Sequence, residues 1–285
     1  MSTATTSSRY LSELPHVQQA FVQDSEGRPI LIDNAPLPVI TLGTVLVKTA
    51  AVGLNPSDVK IPKRYPAPGA VCGLDYAGVI VRMDNEAARL RPDLKIGDSV
   101  CSLVHGSNPA DSGNGSFAEY ISAPAQLVIK VPKGLSLNQA SALGVALATN
   151  CLALWDCLAI PGSPSSPSPE SFDALVYGGS TCFGTMAIQL LKLSGARVIT
   201  TCSPRSFDLV KDYGADLAFD YAESSAPEAV RTLTKNRLRY ALDCIADQDS
   251  ASFCYMSLGS QVLDIRVWNS ALRASDPERR ESTTL

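Results

Sequence analysis

Apolar and polar positions alternate over residues 18–33 and 43–53, with glycine and proline as punctuation. A period of two predicts strands that bury one face. Residues 74–82 read as another strand, followed by the turn-rich stretch 91–100, and two more strands are predicted at 115–121 and 127–131. Several short strands at such intervals predict a small barrel or sandwich. Over 136–160 the period lengthens to that of a helix, with Ser136 as its cap. Proline and serine then dominate 161–170. That composition predicts an exposed, semi-stiff, partly polyproline-like linker at a domain boundary.

The pattern changes class after the linker. An apolar run at 174–177 meets Gly178 and Gly179, and a helical pattern follows from Thr185. A strand, a tight turn and a helix N-terminus in that order can seat a dinucleotide pyrophosphate. Strict G-x-G-x-x-G spacing would need glycines at 179, 181 and 184, and position 181 is Thr, so the context has to carry the motif. Strands are predicted at 197–201, 217–220 and 239–245, with helices between them ending near Gly214 and covering 226–235. Strands and helices alternating at this spacing predict βαβ units and a parallel sheet. An α/β domain without a nucleotide has the same pattern, because fold does not fix function.

Composition narrows the classes. The 285 residues carry a net charge of −4, with nothing basic or aromatic-rich to suggest a nucleic-acid surface. No apolar run approaches the roughly eighteen residues of a membrane span. The first eight residues lack the layout of a signal peptide, so a cytoplasmic protein is expected. Eight cysteines fall at 72, 101, 151, 157, 182, 202, 244 and 254 without a C-x-x-C pair, and read as free thiols. The two histidines, His16 and His105, have no ligand-spaced neighbour. Zinc is therefore not expected, and a Ser-His-Asp or Cys-His mechanism is hard to assemble.

Ordered motifs then accumulate: Gly53-Leu-Asn-Pro-Ser-Asp58, Gly73-Leu-Asp-Tyr-Ala-Gly78, Ile96-Gly-Asp98, Gly115-Ser-Phe-Ala-Glu-Tyr120, residues 142–149 and the loop 178–184. In this order they resemble the zinc-free enoyl/quinone reductase branch of the medium-chain dehydrogenase/reductase superfamily. Val176-Tyr-Gly-Gly-Ser-Thr181, Thr201-Cys-Ser-Pro204, Phe219-Asp-Tyr221 and residues 238–245 are most similar to the trans-acting enoyl reductases that serve fungal polyketide synthases.

The resemblance covers 15–259 and implies an α/β fold. A GroES-like, β-barrel-type catalytic domain (1–160) would be joined by the linker (161–172) to a Rossmann, doubly wound parallel sheet that binds NADP (173–268). The polar tail 269–285 is expected to be disordered. Residues 260–285 match nothing in the family, so a C-terminally shortened member is expected. Leu263, Ile265 and Val267 alternate with Asp264 and Arg266 as a short half-buried strand would.

Candidate chemistry follows. Gly178 and Gly179 let backbone approach the pyrophosphate; Ser180 and Thr181 either add hydroxyl donors or simply cap the helix. The second strand ends in Thr201-Cys202-Ser203-Pro204-Arg205 with no acid before Asp208. Arg205 would start a helix, where the macrodipole disfavours a cation unless an anion such as a 2′-phosphate accompanies it. Arg205, with Ser203 and Pro204, therefore indicates NADPH, or else is a solvated surface cation. The resemblance places Tyr221 near the adenosine and Ser57, Asp58 and Lys60 on the nicotinamide side; Lys60 also reads as an ordinary surface lysine. It places Thr149, Asn150, Cys151, Leu152 and Trp155 along an acyl pocket, although Cys151, Leu152 and Trp155, with Leu154, read equally well as core.

The expected reaction is hydride transfer from NADPH to the β-carbon of an α,β-unsaturated thioester carried by a polyketide synthase, with no assigned proton donor. The alternatives are a quinone or small-enone reductase of the same fold, and a shortened paralogue that only binds a partner and turns over weakly or not at all. Neither nucleic acid nor membrane is an expected partner, and the chain is expected as monomer or homodimer.

Overall fold

The computed structural model describes residues 14–260 and the backbone of 266–269. Two compact units divide the chain, Met1–Val145 and Ala146–Leu285.

In the first unit the alternating run 18–33 folds as two strands, β1 (Val17–Gln23) and β2 (Pro29–Pro36), paired antiparallel. The turn between them is held by Asp24, whose Oδ1 accepts from the N–H groups of Glu26 and Arg28. A five-stranded antiparallel sheet has the order β6-β3-β4-β5-β7, built from β3 (Thr44–Gly53), β4 (Asp75–Met83), β5 (Ser99–Leu103), β6 (Tyr120–Pro124) and β7 (Ile129–Lys130). Val45, Val47, Tyr76, Ile80 and Ile121 close its core. Two short helices were not apparent in the sequence pattern, α1 (Ser57–Arg64) and α2 (Asn85–Leu90). Pro62 inside α1 masks the first, and the second is only six residues long, too short for a helical period to show.

The predicted helix 136–160 is not continuous. Ser136 caps α3 (Leu137–Ala140) through a capping box with Gln139. The chain turns, restarts as α4 (Gly144–Cys151), and widens into a π-helical segment, Leu152–Cys157. By length and composition 137–157 could cross a bilayer, contrary to the expectation that no run reaches that size. Its Ala153 and Leu154 nevertheless sit fully buried in the core of the second unit.

The second unit is a five-stranded sheet, parallel throughout, in the order β10-β9-β8-β11-β12. Its strands are β8 (Phe172–Tyr177), β9 (Ala196–Cys202), β10 (Leu217–Asp220), β11 (Tyr240–Asp243) and β12 (Arg266–Asn269). The connecting helices are α5 (Cys182–Leu193), α6 (Phe207–Asp212), α7 (Ala226–Leu233) and α8 (Gln248–Ser257). Successive residues of β8 enter opposite cores. Val176 packs with Ala187, Ile188 and Leu191 of α5, and Leu175 with Val230 of α7 and Phe253 of α8. A sheet covered on both faces explains why its strands read as continuous apolar runs rather than alternating ones.

The expected C-terminal strand is present as β12, paired with β11. Residues 261–265, which include most of the alternation seen in the sequence, and the tail 270–285 lie outside the described residues.

The Pro/Ser segment falls within the second unit and is held down rather than free. Ser168 N–H donates to the Ser194 carbonyl, and the Trp155 indole N–H donates to the Gly162 carbonyl at 2.8 Å. Ser163 and Ser166 bridge each other into a local turn.

Candidate nucleotide-binding site

Strands β8, β9, β10 and β11 all run in one direction, so their C-terminal ends converge on one edge. Strand order reverses there between β8 and β11, the switch point where open parallel sheets bind ligands. Gly178 leaves β8 with φ +81°, a conformation that suits glycine. Its N–H and that of Gly179 both reach the Thr201 carbonyl at the end of β9, at 3.1 and 2.9 Å. A Cβ on Gly179 would collide with the Thr200 hydroxyl, which donates to the Val176 carbonyl. A Cβ on Gly184 would strike the Gly178 carbonyl and come within 2.8 Å of the Gly179 Cα. Both positions thus exclude any side chain, the close approach that a dinucleotide turn needs.

Thr181 occupies the position where the strict motif has its second glycine. Its hydroxyl accepts from Gly184 N–H at 2.9 Å and donates to the Gly178 carbonyl at 2.9 Å. Of the two readings for this hydroxyl, the cap is the one observed, and α5 starts at Cys182, three residues before the helical pattern becomes visible. Ser180 is exposed beside it.

At the end of β9, Ser203 precedes a single 3₁₀ turn, Pro204–Ser206, that leads into α6. Arg205 is exposed on this turn and makes no ion pair among the described residues. A nearby carboxylate, Asp220, is register-paired with Cys202, and its Oδ1 accepts from Ala222 N–H. Tyr221 follows β10, half exposed, with its ring 6.4 Å from that of Tyr177. Burial first and neighbouring carboxylates second push the Tyr177 hydroxyl up to about 12, so it stays protonated. On the far side of the switch point Asp243 is fully buried. Its Oδ1 accepts from the N–H groups of Ile245 and Ala246 and its Oδ2 from the Ser250 hydroxyl. The turn it fixes places Ile245 and Cys244 where a Cβ on Gly178 would point.

The residues expected along an acyl pocket separate into two groups. Cys151 and Leu152 are exposed and Thr149 is half buried. Trp155 packs against the core and anchors Gly162. Asn150 is fully buried, and its Nδ2 donates to the Ala146 carbonyl at 2.9 Å and the Phe183 carbonyl at 3.1 Å. Its side chain is directed at the first turn of α5.

In the first unit, Ser57 and Lys60 lie on α1, Ser57 half buried and Lys60 exposed. Asp58 accepts from Asn55 N–H at 2.7 Å through Oδ2. Burial raises its carboxyl, against the lowering effect of the Asn55 and Leu74 N–H groups. Asn55 Nδ2 donates to Asp75 Oδ2 at 2.9 Å, while Asp75 Oδ1 accepts from Val145 N–H at 2.6 Å at the start of α4. Burial holds Asp75 well above its ordinary value, at about 6. Sequence reasoning missed Asp75, Thr200, Thr201 and Asp243. The signal available for the threonines was a β-branched pair at a strand end, and for Asp75 the motif Gly73-Leu-Asp-Tyr-Ala-Gly78. Among the described residues no three His, Cys, Asp or Glu side chains gather as a metal site would require.

Known proteins are similar to this chain in sequence and fold. The profile of the alcohol dehydrogenase GroES-like domain matches residues 41–133 and that of the zinc-binding dehydrogenase domain matches 182–261. A trans-enoyl reductase of Aspergillus clavatus is 45% identical over 247 residues, 86% of this chain and 68% of that protein. One from Penicillium oxalicum is 46% identical over 244 residues, 85% of this chain and 65% of the relative. The chain thus spans about two thirds of the length of these relatives. Among solved structures, an alcohol dehydrogenase superfamily protein from Novosphingobium aromaticivorans superposes with a TM-score of 0.72 at 25% identity, covering 85% of this chain and 70% of its own. A mycobacterial protein complexed with NADPH superposes at 0.66 and 25% identity, covering 87% and 72%.

Proposed function

The chain belongs to the medium-chain dehydrogenase/reductase superfamily, in its trans-enoyl reductase branch, and from that premise we propose that it is an NADPH-dependent enoyl reductase. Its substrate is the α,β-unsaturated thioester of an intermediate carried by a polyketide synthase. The observation that carries the nucleotide half of this reading is the turn 178–184, closed to any side chain at Gly179 and Gly184. The substrate half is carried over from the trans-enoyl reductases that the chain resembles.

When bound, NADPH supplies the hydride. The first turn of α5 receives the pyrophosphate, with Ser180 as a further donor, and the absence of side chains at Gly178 and Gly179 leaves room for its close approach. Arg205 and Ser203 receive the 2′-phosphate, next to Pro204, and Tyr221 covers the adenosine. Ser57, Asp58 and Lys60 serve the nicotinamide end, and Thr149, Cys151 and Leu152 meet the acyl chain. An unpaired guanidinium at the start of a helix supports the choice of NADPH, because a bound phosphate offsets the macrodipole there.

The test follows NADPH oxidation with an enoyl N-acetylcysteamine thioester, with NADH and a simple quinone as parallel arms. Thioester reduction by NADPH is expected. Quinone reduction alone would favour a free-substrate quinone reductase, a reading supported by the mycobacterial quinone oxidoreductase that superposes at 26% identity. Arg205→Ala is expected to weaken NADPH binding by ten- to a hundredfold, the loss of one charge-assisted contact of roughly 1.5–3 kcal/mol, and to leave NADH binding unchanged. Equal effects on both cofactors would remove Arg205 from the phosphate site.

A further inference from the structure

We infer that Asn150 is a positioning residue for nucleotide binding, one that fixes the first turn of α5 without touching the cofactor. The inference rests on reading 178–184 as the pyrophosphate turn.

The peptide between Phe183 and Gly184 is held at both ends. Its N–H donates to the Thr181 hydroxyl at 2.9 Å, and its carbonyl accepts from Asn150 Nδ2 at 3.1 Å. This peptide belongs to the turn whose N–H groups would face the pyrophosphate, and its tilt sets their aim. The second hydrogen of Nδ2 goes to the Ala146 carbonyl at 2.9 Å. Two carbonyl partners leave one orientation of the carboxamide, because the reversed amide would point oxygen at oxygen.

The consequence is an acceptor without a donor. Asn150 Oδ1 is buried and has no hydrogen-bond partner among the described residues. Buried polar atoms are nearly always paired, and each exception calls for a reason. Leucine has a similar volume, would fill the space and would leave no orphan. An asparagine kept for stability alone is therefore a poor choice, whereas one kept to hold a carbonyl in place must accept the idle oxygen. The helix also loosens immediately afterwards, from α4 into the π-helical segment Leu152–Cys157, a form common at functional sites. Helix α4 carries Thr149 and the π-helical segment that continues it carries Leu152, so one side chain ties the acyl-side residues to the nucleotide turn.

The experiment compares wild type, Asn150→Leu and Asn150→Asp by unfolding temperature without ligand and by NADP⁺ dissociation constant from pH 8 to pH 5.5. Asn150→Leu is expected to unfold at or above the wild-type temperature and to bind NADP⁺ at least tenfold more weakly. In Asn150→Asp the protonated carboxyl regains a single donor, so affinity relative to wild type recovers as pH falls. A lower unfolding temperature with unchanged affinity in Asn150→Leu would overturn the inference and leave a structural asparagine. If Asn150→Leu loses both stability and affinity, the pH response of Asn150→Asp decides: recovery supports positioning, a flat ratio overturns it. Wild type that fails to bind NADP⁺ at all would instead remove the nucleotide reading on which the inference rests.

Discussion

Helices α4 and α5 are capped at their N-termini in opposite ways. Helix α5 is capped from next door: Thr181, the residue just before it, accepts from Gly184 N–H with a neutral hydroxyl. Helix α4 is met from afar: Asp75, seventy positions earlier, accepts from Val145 N–H with a carboxylate that also holds Asn55. A local neutral cap is insensitive to pH and can be replaced by any small hydroxyl. A remote charged cap fastens separate segments together, and its buried carboxyl titrates at about 6. The first device tunes one helix, whereas the second joins strand β4, the loop before α1 and the start of α4 through the two oxygens of one side chain.

The largest expected effect comes from the remote cap. Because Asp75 titrates above its ordinary value, the folded chain holds that proton more tightly than the unfolded chain. Its stabilising contribution is complete below about pH 4 and is lost as pH rises through about 6, an amplitude of roughly 3 kcal/mol. Asp75→Asn removes this titration. The difference in urea unfolding free energy between wild type and variant should therefore change by up to that amount between pH 4 and pH 7, and a constant difference would show that Asp75 ionises normally. A smaller effect is expected from Gly184→Ala, which drives a Cβ into the Gly178 carbonyl. Overpacking of this kind costs about 2 kcal/mol, and calorimetry should find NADPH binding reduced along with stability. The local cap comes last. Thr181→Ala should cost about 1 kcal/mol at every pH, and Thr181→Ser almost nothing. A Thr181→Ala loss that varies with pH would undo the contrast between the two caps.

The same contrast explains what could be read from the residues alone. Strands β8, β9, β10 and β11 announce themselves because a doubly covered sheet demands consecutive apolar side chains, as in Ala174-Leu-Val-Tyr177. Ser136 was legible as a cap because its partner Gln139 is three residues away. Asp75 and Asn150 were not legible in their roles. Their partners lie 20 and 70 residues away for Asp75 and 33 for the Phe183 contact, and no local pattern encodes such a distance. Helix α1 was hidden for a different reason, since Asn-Pro at its start and Pro62 within it are turn signals. In the acyl-pocket set only the packing distinguishes the exposed Leu152 from the buried Asn150.

The fastening of the Pro/Ser segment has its own consequence. A protease needs several residues of extended chain to enter its cleft, and exposed stretches of small and polar residues, such as the serines here, are ordinarily where nicks concentrate. Here Gly162 is tied to the indole of Trp155 and Ser168 to the end of α5, so the stretch cannot be drawn out without first breaking both anchors. Trp155 is also one of two tryptophans in the chain. Its fluorescence therefore doubles as a built-in gauge of whether the segment is docked or has come loose.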